Sequence, residues 1–158
     1  MAEFEVRDGR VEEARALVEL FAAVAEERDG IATEPPVDLD ARTEQFAASI
    51  DHTIVAVADG ELVGLLHLEP TRHGFADLGM LVARGWRGRG VGSALLAAAV
   101  ERARADGLHK LTLEVFPHNE AGIALYRKFG FVEEGRRVGQ YRRSNGELWD
   151  SVLMGLLL

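Results

Sequence analysis

Apolar and polar residues alternate along Phe4-Glu5-Val6-Arg7, the period of a short strand, and Asp8-Gly9 ends it. The period then lengthens. Val11, Ala14, Leu17, Val18, Phe21 and Val24 share one face of a helix running from near Arg10 to about Arg28, with Asp8 placed to cap it and Asp29-Gly30 to stop it. Ile31 to Val37, containing Pro35-Pro36, reads as a loop, and Asp38 or Asp40 opens a second helix carrying Phe46 and Ile50. Thr53 to Ala58 is a strand, Asp59-Gly60 a hairpin turn, and Glu61 to Glu69 the returning strand, closed by Pro70. Phe75 to Val82 is a third strand-like run that leads into a turn rich in glycine and arginine.

A helix from Gly90 to about Asp106 follows, buried through Val91, Leu95 and Ala98 and terminated by Gly107. Lys110 to Phe116 is again a strand, so strand, helix and strand predict a parallel, right-handed crossover onto the run Phe75–Val82. Asn119 to Lys128 is a short helix with Ile123, Leu125 and Tyr126 at apolar positions, closed by Gly130. Phe131-Val132 starts another strand, the polar stretch Gly139 to Asn145 leads to the hairpin signal Asn145-Gly146, and Leu148 to Leu158 forms the last strand. The fold class expected is α+β, a mixed sheet with one embedded βαβ crossover.

Composition narrows the picture without naming an activity. A chain of 158 residues is read as one domain over residues 1–158, large enough to bury a core without staples. It has no cysteine, which removes disulfides, thiolate metal sites and a cysteine nucleophile. The net charge of −8 argues against nucleic acid as a partner, since that binding needs clustered positive charge. No apolar run is long enough to span a bilayer, and Met1-Ala2-Glu3-Phe4-Glu5 lacks the basic and apolar regions of a signal peptide, so no membrane partner and a cytoplasmic location are expected.

The chemistry concentrates in Leu81 to Leu96. Gly88, Gly90 and Gly92 remove side chains where a ligand must approach the backbone, and they precede a helix whose first N–H groups lack partners. Arg84, Arg87 and Arg89 add positive charge, so the turn reads as an anion site suited to phosphate or pyrophosphate. It is not a P-loop, because Gly92 is followed by Ser93-Ala94 with no lysine. It is not a dinucleotide fingerprint either, because the third glycine of Gly88-Arg89-Gly90-Val91-Gly92 comes one position early.

What does fit is Arg87-x-x-Gly90-x-Gly92 after a strand ending Leu81-Val82, together with Asn119-x-x-Gly122-x-x-Leu125-Tyr126-x-x-Phe129-Gly130-Phe131 downstream. The first resembles the acetyl-CoA-binding signature of the GNAT superfamily of N-acetyltransferases. The second is similar to that family's Asn-x-x-Ala-x-x-Leu-Tyr segment, with Gly122 in place of alanine. The resemblance implies a mostly antiparallel central sheet with one parallel crossover, flanked by helices. It implies acetyl-CoA as co-substrate and no metal. The backbone of Arg87, Gly88, Arg89, Gly90, Val91, Gly92 and Ser93 would hold the pyrophosphate, Leu81 and Val82 would pair with the pantetheine arm through their backbone, and Asn119 would hydrogen-bond that arm. Asn119 reads equally as a helix cap.

The resemblance makes Tyr126 the general acid for the leaving thiolate, where the sequence alone would make it a core aromatic. Asp77 is the first choice of general base, with Glu69, His67, Glu114 and His118 as alternatives. The implied activity is direct acetyl transfer to the primary amine of a small molecule, an amino acid among them, because the tail from Glu134 is similar to amino-acid and phosphinothricin-type acetyltransferases. A protein or peptide N-acetyltransferase and a non-catalytic acyl-CoA-binding module are the alternatives, and a homodimer is the assembly common in the family.

Overall fold

The computed structural model describes residues 3–158. Seven strands and four α-helices follow in chain order: β1 (Glu5–Asp8), α1 (Ala14–Ala25), α2 (Leu39–Ala48), β2 (Thr53–Ala58), β3 (Glu61–Pro70), β4 (Phe75–Val82), α3 (Val91–Ala105), β5 (Lys110–Val115), α4 (Glu120–Lys128), β6 (Val132–Arg142) and β7 (Leu148–Leu157). The strands hydrogen-bond in the order β1-β2-β3-β4-β5-β7-β6. The sheet is mostly antiparallel, and β4 and β5 pair in parallel through Phe75–Asp77 and Lys110–Thr112, as the strand–helix–strand pattern requires.

The chain forms two compact units, residues 1–68 with Met80–Ala99, and Glu69–Gly79 with Val100–Leu158. In the first unit, Leu17 and Val24 of α1 pack with Val55, Leu65 and Leu81, and Phe21, Phe46 and Ile50 border that cluster. The ring of Phe46 on α2 meets Phe21 on α1 edge-on at 5.8 Å. The β2–β3 hairpin turns through Asp59 (φ 49°) and Gly60 (φ 78°), two successive left-handed residues, which is why Asp-Gly suits this position. At Gly64 on β3 a Cβ would lie 3.0 Å from Val91 Cγ1 and from Leu95 Cδ1, so the bare glycine lets the start of α3 pack close to the strand.

In the second unit β5 is the central strand. It pairs with β7 from Lys110↔Leu157 to Val115↔Val152, and β7 pairs with β6. Leu111, Phe131 and Met154 are fully buried here. His109 N–H donates to Gly74 O at 2.8 Å, and Leu158 N–H donates to His109 O at 2.9 Å, tying the entrance of β5 to its neighbours.

Two details of the sequence reading change. The first helix is not capped by Asp8 and does not reach Arg28. It enters through a 3-10 turn at Val11–Glu13, where the Glu13 carboxylate accepts from Arg10 N–H at 2.9 Å, and it ends at Ala25, with Arg28 in a left-handed conformation. The polar stretch Gly139–Asn145 is not all loop, because β6 continues to Arg142. Its residues look irregular in sequence because β6 is an edge strand with most side chains in solvent. A register shift between Arg137 and Tyr141 is held by Asp150, whose carboxylate accepts from Gly139 N–H at 2.7 Å and Arg136 Nε at 2.9 Å.

Glu13 also pairs with Arg7 at 2.7 Å, and that hydrogen-bonded guanidinium holds its carboxyl below the usual carboxylate range. A carboxyl held low stabilises the fold while ionised, and the contribution is lost as pH falls below about 4.3 and through the folded-state value. Glu13→Gln is therefore expected to be less stable than the wild type at pH 7, with the gap closing in acid. Urea titrations across that range check this.

Candidate functional site

The turn after β4 is built from backbone. Ala83 N–H donates to Val63 O on β3 at 2.8 Å, so by strand alternation the N–H and C=O of Val82 point away from β3. A 3-10 turn at Arg84–Trp86 follows, then Arg87 in extended conformation, Gly88 at φ 73° and Gly90 at φ 87°. Left-handed backbone at both glycines reverses the chain at no side-chain cost and leaves the peptide edges open to a ligand. The first helical bond of α3 runs from Ala94 N–H to Gly90 O at 3.0 Å. The N–H groups of Val91, Gly92 and Ser93 thus precede any intrahelical acceptor.

The helix starts differ in a telling way. The α2 start is capped by Asp38, which accepts from Ala41 N–H at 3.0 Å, and the α4 start by Asn119, which accepts from Gly122 N–H at 3.0 Å. At the corresponding place α3 has Gly90, which has no side chain to offer. Its first-turn donors, which have no acceptor among the described residues, and the positive end of the helix dipole suit an anion.

The arginines do less than their charge suggested. Arg87 is held by Glu27 through two hydrogen bonds of 2.7 and 2.8 Å, and its Nε donates to Val82 O at 3.0 Å. Arg89 pairs with Glu3, and its guanidinium lies over the Trp86 ring at 3.8 Å. Two of the three positive charges are therefore already balanced by carboxylates. Leu81 is 7% exposed and belongs to the core cluster, and by the same alternation its N–H and C=O face β3, so the backbone pairing with a ligand expected of Leu81 falls to Val82 alone.

Asp77, Asn119 and Tyr126 lie in the second unit. Asp77 is exposed on β4 opposite Thr112 of β5, whose hydroxyl donates to its carboxylate. Both line a cavity of about 490 Å³ with Leu113, Leu153 and Met154 as apolar wall, and with Glu114. The Glu114 carboxylate is committed to Arg137 and to the Tyr141 hydroxyl, which weakens it as an alternative base. His118 is stacked on Phe116, with 5.6 Å between ring centroids, and meets Trp149 edge-on. In the first unit, His67 Nδ1 is 3.2 Å from Thr53 Oγ1.

Asn119 does cap its helix, and Gly122 makes room for it: a Cβ at residue 122 would lie 2.7 Å from Asn119 Nδ2. Tyr126 is 7% exposed and packs against Phe131 with 5.7 Å between centroids. Its hydroxyl hydrogen-bonds to no described residue, and burial pushes its pKa up to about 12. The phenol is therefore protonated at neutral pH, the state a proton donor needs.

The family's sequence pattern, described as "Acetyltransferase (GNAT) family", matches residues 14–131. The chain belongs to the GNAT acetyltransferase family. This GNAT chain is 37% identical over 109 residues to an L-amino acid N-acetyltransferase of Escherichia coli, covering 64% of this chain and 65% of that protein. It is 32% identical over 146 residues to the L-methionine sulfoximine/L-methionine sulfone acetyltransferase of Pseudomonas aeruginosa, covering 85% of each. Its fold matches that of a GNAT phosphinothricin acetyltransferase from Sinorhizobium meliloti solved with AcCoA. The TM-score is 0.88 at 20% identity, over 99% of this chain and 89% of that one.

Three contacts of the candidate residues were not foreseen from the sequence. Glu27 lies 60 positions from Arg87, Trp86 acts as a platform for Arg89, and Thr112 meets Asp77 only through the parallel register. The Thr112 contact was reachable by aligning the two strands of the crossover. Asn119→Ala is expected to destabilise the fold by about 1 kcal/mol through loss of the α4 cap. Chemical denaturation at neutral pH measures it.

Proposed function

We propose that the chain transfers an acetyl group from acetyl-CoA to the primary amine of a small molecule, with amino acids as the acceptor class. The observation that carries this is the start of α3 behind two left-handed glycines, a set of backbone donors with no acceptor among the described residues. The CoA pyrophosphate is assigned to the backbone of Arg87, Gly88, Arg89, Gly90, Val91, Gly92 and Ser93. The pantetheine arm is assigned to the backbone of Val82 and to Asn119, whose amide nitrogen is a donor separate from the capping oxygen. The names of the Escherichia coli and Pseudomonas relatives support an amino acid or its close analogue as acceptor.

The transfer is direct. Asp77, itself or through a water, takes the proton of the acceptor ammonium, and the freed amine attacks the thioester carbonyl carbon. The Val82 N–H, which points away from β3, stabilises the developing oxyanion. The carbon–sulfur bond breaks, the Tyr126 hydroxyl protonates the leaving thiolate, and the second proton lost by the acceptor nitrogen restores the phenol through solvent. Asp77 suits its part because its partner is the neutral hydroxyl of Thr112, which leaves the carboxylate charge for an ammonium. One catalytic domain, a homodimeric assembly and a cytoplasmic location complete the reading.

Release of CoA thiol, followed over a panel of amino acids and simple amines, tests the function. Turnover on at least one primary amine is expected, whereas tight acetyl-CoA binding without turnover on any acceptor would make the chain a binding module. Tyr126→Phe is expected to lower kcat by about 10²-fold while leaving acetyl-CoA affinity nearly unchanged. Equal turnover would assign the proton to water.

A further inference from the structure

We propose that Glu27 is a positioning residue of the donor site, acting through Arg87 on the carbonyl of Val82. The proposal rests on the acetyl-CoA reading above and concerns a residue outside both sequence motifs. Glu27 lies two residues past the end of α1, where its N–H donates to Val24 O at 3.1 Å, and its side chain is 20% exposed. Its two carboxylate oxygens receive the two terminal nitrogens of Arg87, the planar fork-to-fork arrangement that fixes a guanidinium in orientation as well as in place. Held this way, Arg87 turns its Nε toward Val82 O.

That carbonyl belongs to the peptide edge that points away from β3, the edge on which a ligand would pair with the end of β4. Left alone, Val82 would present a donor and an acceptor there. With its carbonyl taken by Arg87, it presents the N–H, and the negative end of the carbonyl dipole is compensated by a cation. The outward Val82 group and the α3 donors then have one sign, suited to an anion and to a thioester oxygen. Arg87 alone would not hold this arrangement, because an exposed arginine gives up rotamer freedom to stay in one geometry. Glu27 supplies the restraint. Hydrogen bonding to Arg87 keeps its carboxyl below the usual carboxylate range, so it is ionised at neutral pH.

The opposite role is also physically coherent. Glu27 could compete with phosphate for Arg87, and removing it would then tighten donor binding. The two roles differ in sign, which makes the test decisive. In ligand-free protein, the ¹⁵N resonance of Arg87 Nε is expected to be protected from exchange and to lose that protection in Glu27→Gln, together with shifts at the amides of Gly88 and Gly90. By calorimetry, Glu27→Gln is expected to raise the Kd for acetyl-CoA about tenfold. The KM for acetyl-CoA should rise with it, and kcat at saturating acetyl-CoA should fall severalfold as the Val82 N–H loses its fixed aim at the thioester oxygen. Glu27→Asp should recover part of the loss. In an Arg87→Gln background, Glu27→Gln should have no further effect, which a general loss of folding would not reproduce.

An unchanged or lowered Kd in Glu27→Gln, an Arg87 resonance indifferent to the substitution, or equal effects in both backgrounds would overturn the proposal. The wild-type titration separates the two levels. If the wild type binds no acetyl-CoA although its Arg87 resonance responds to Glu27, the functional reading fails and the donor-site role of Glu27 falls with it.

Discussion

The hydrogen bond from Ala83 N–H to Val63 O is a small contact on which much else depends. It sets the alternation of peptide groups at the end of β4 and so decides that Val82, rather than its neighbours, turns its polar edge away from β3. The same alternation sends the Leu81 side chain into the cluster with Leu17, Val24, Val55 and Leu65. One step later the chain must reverse into α3, and the left-handed glycines Gly88 and Gly90 allow it to do so with backbone donors exposed. A strand end, a reversal and an unsatisfied helix start thus follow from one registration of β4 on β3.

Charge near this turn is balanced rather than accumulated. Arg87 answers to Glu27, and Arg89 to Glu3 and to the face of Trp86. In a chain of net charge −8, a patch of unpaired arginines would be an attractor for any acidic surface, its own included. Backbone N–H groups avoid this. They are dipoles with fixed direction, short range and no counter-charge to satisfy, so they select a ligand by shape as much as by sign. In the second unit the pattern repeats with the opposite sign: Glu114 and Glu134 are paired with Arg137 and Lys110, while Asp77 receives a hydroxyl.

Much of the fold was legible because its signals are local. The Asp59-Gly60 turn, the Asp38 cap and the crossover from β4 to β5 each rest on neighbouring residues whose periodicity or conformational preference speaks for itself. The chain reversal at the glycines after β4 was legible for the same reason. The arginines beside them were misjudged, since nothing near Arg87 in sequence announces Glu27. The continuation of β6 through Gly139 to Arg142 was missed because an edge strand in solvent needs no apolar alternation, and because Asp150 pins its irregularity from another strand. Burial of Tyr126 was expected from its spacing. The lack of a described partner for its hydroxyl could not have been read from spacing at all.

Leu81 carries a further implication. Its side chain helps to hold α1 against the sheet, while its backbone forms part of the strand end that leads into the glycine turn. Packing and the geometry of the turn therefore share a residue, and neither can drift alone over evolutionary time. A screen that scores only activity would mark apolar positions of α1, such as Leu17 and Val24, as though they touched the ligand. Their sensitivity would instead measure how rigidly the hydrophobic interior of the first unit aims a peptide group at its surface.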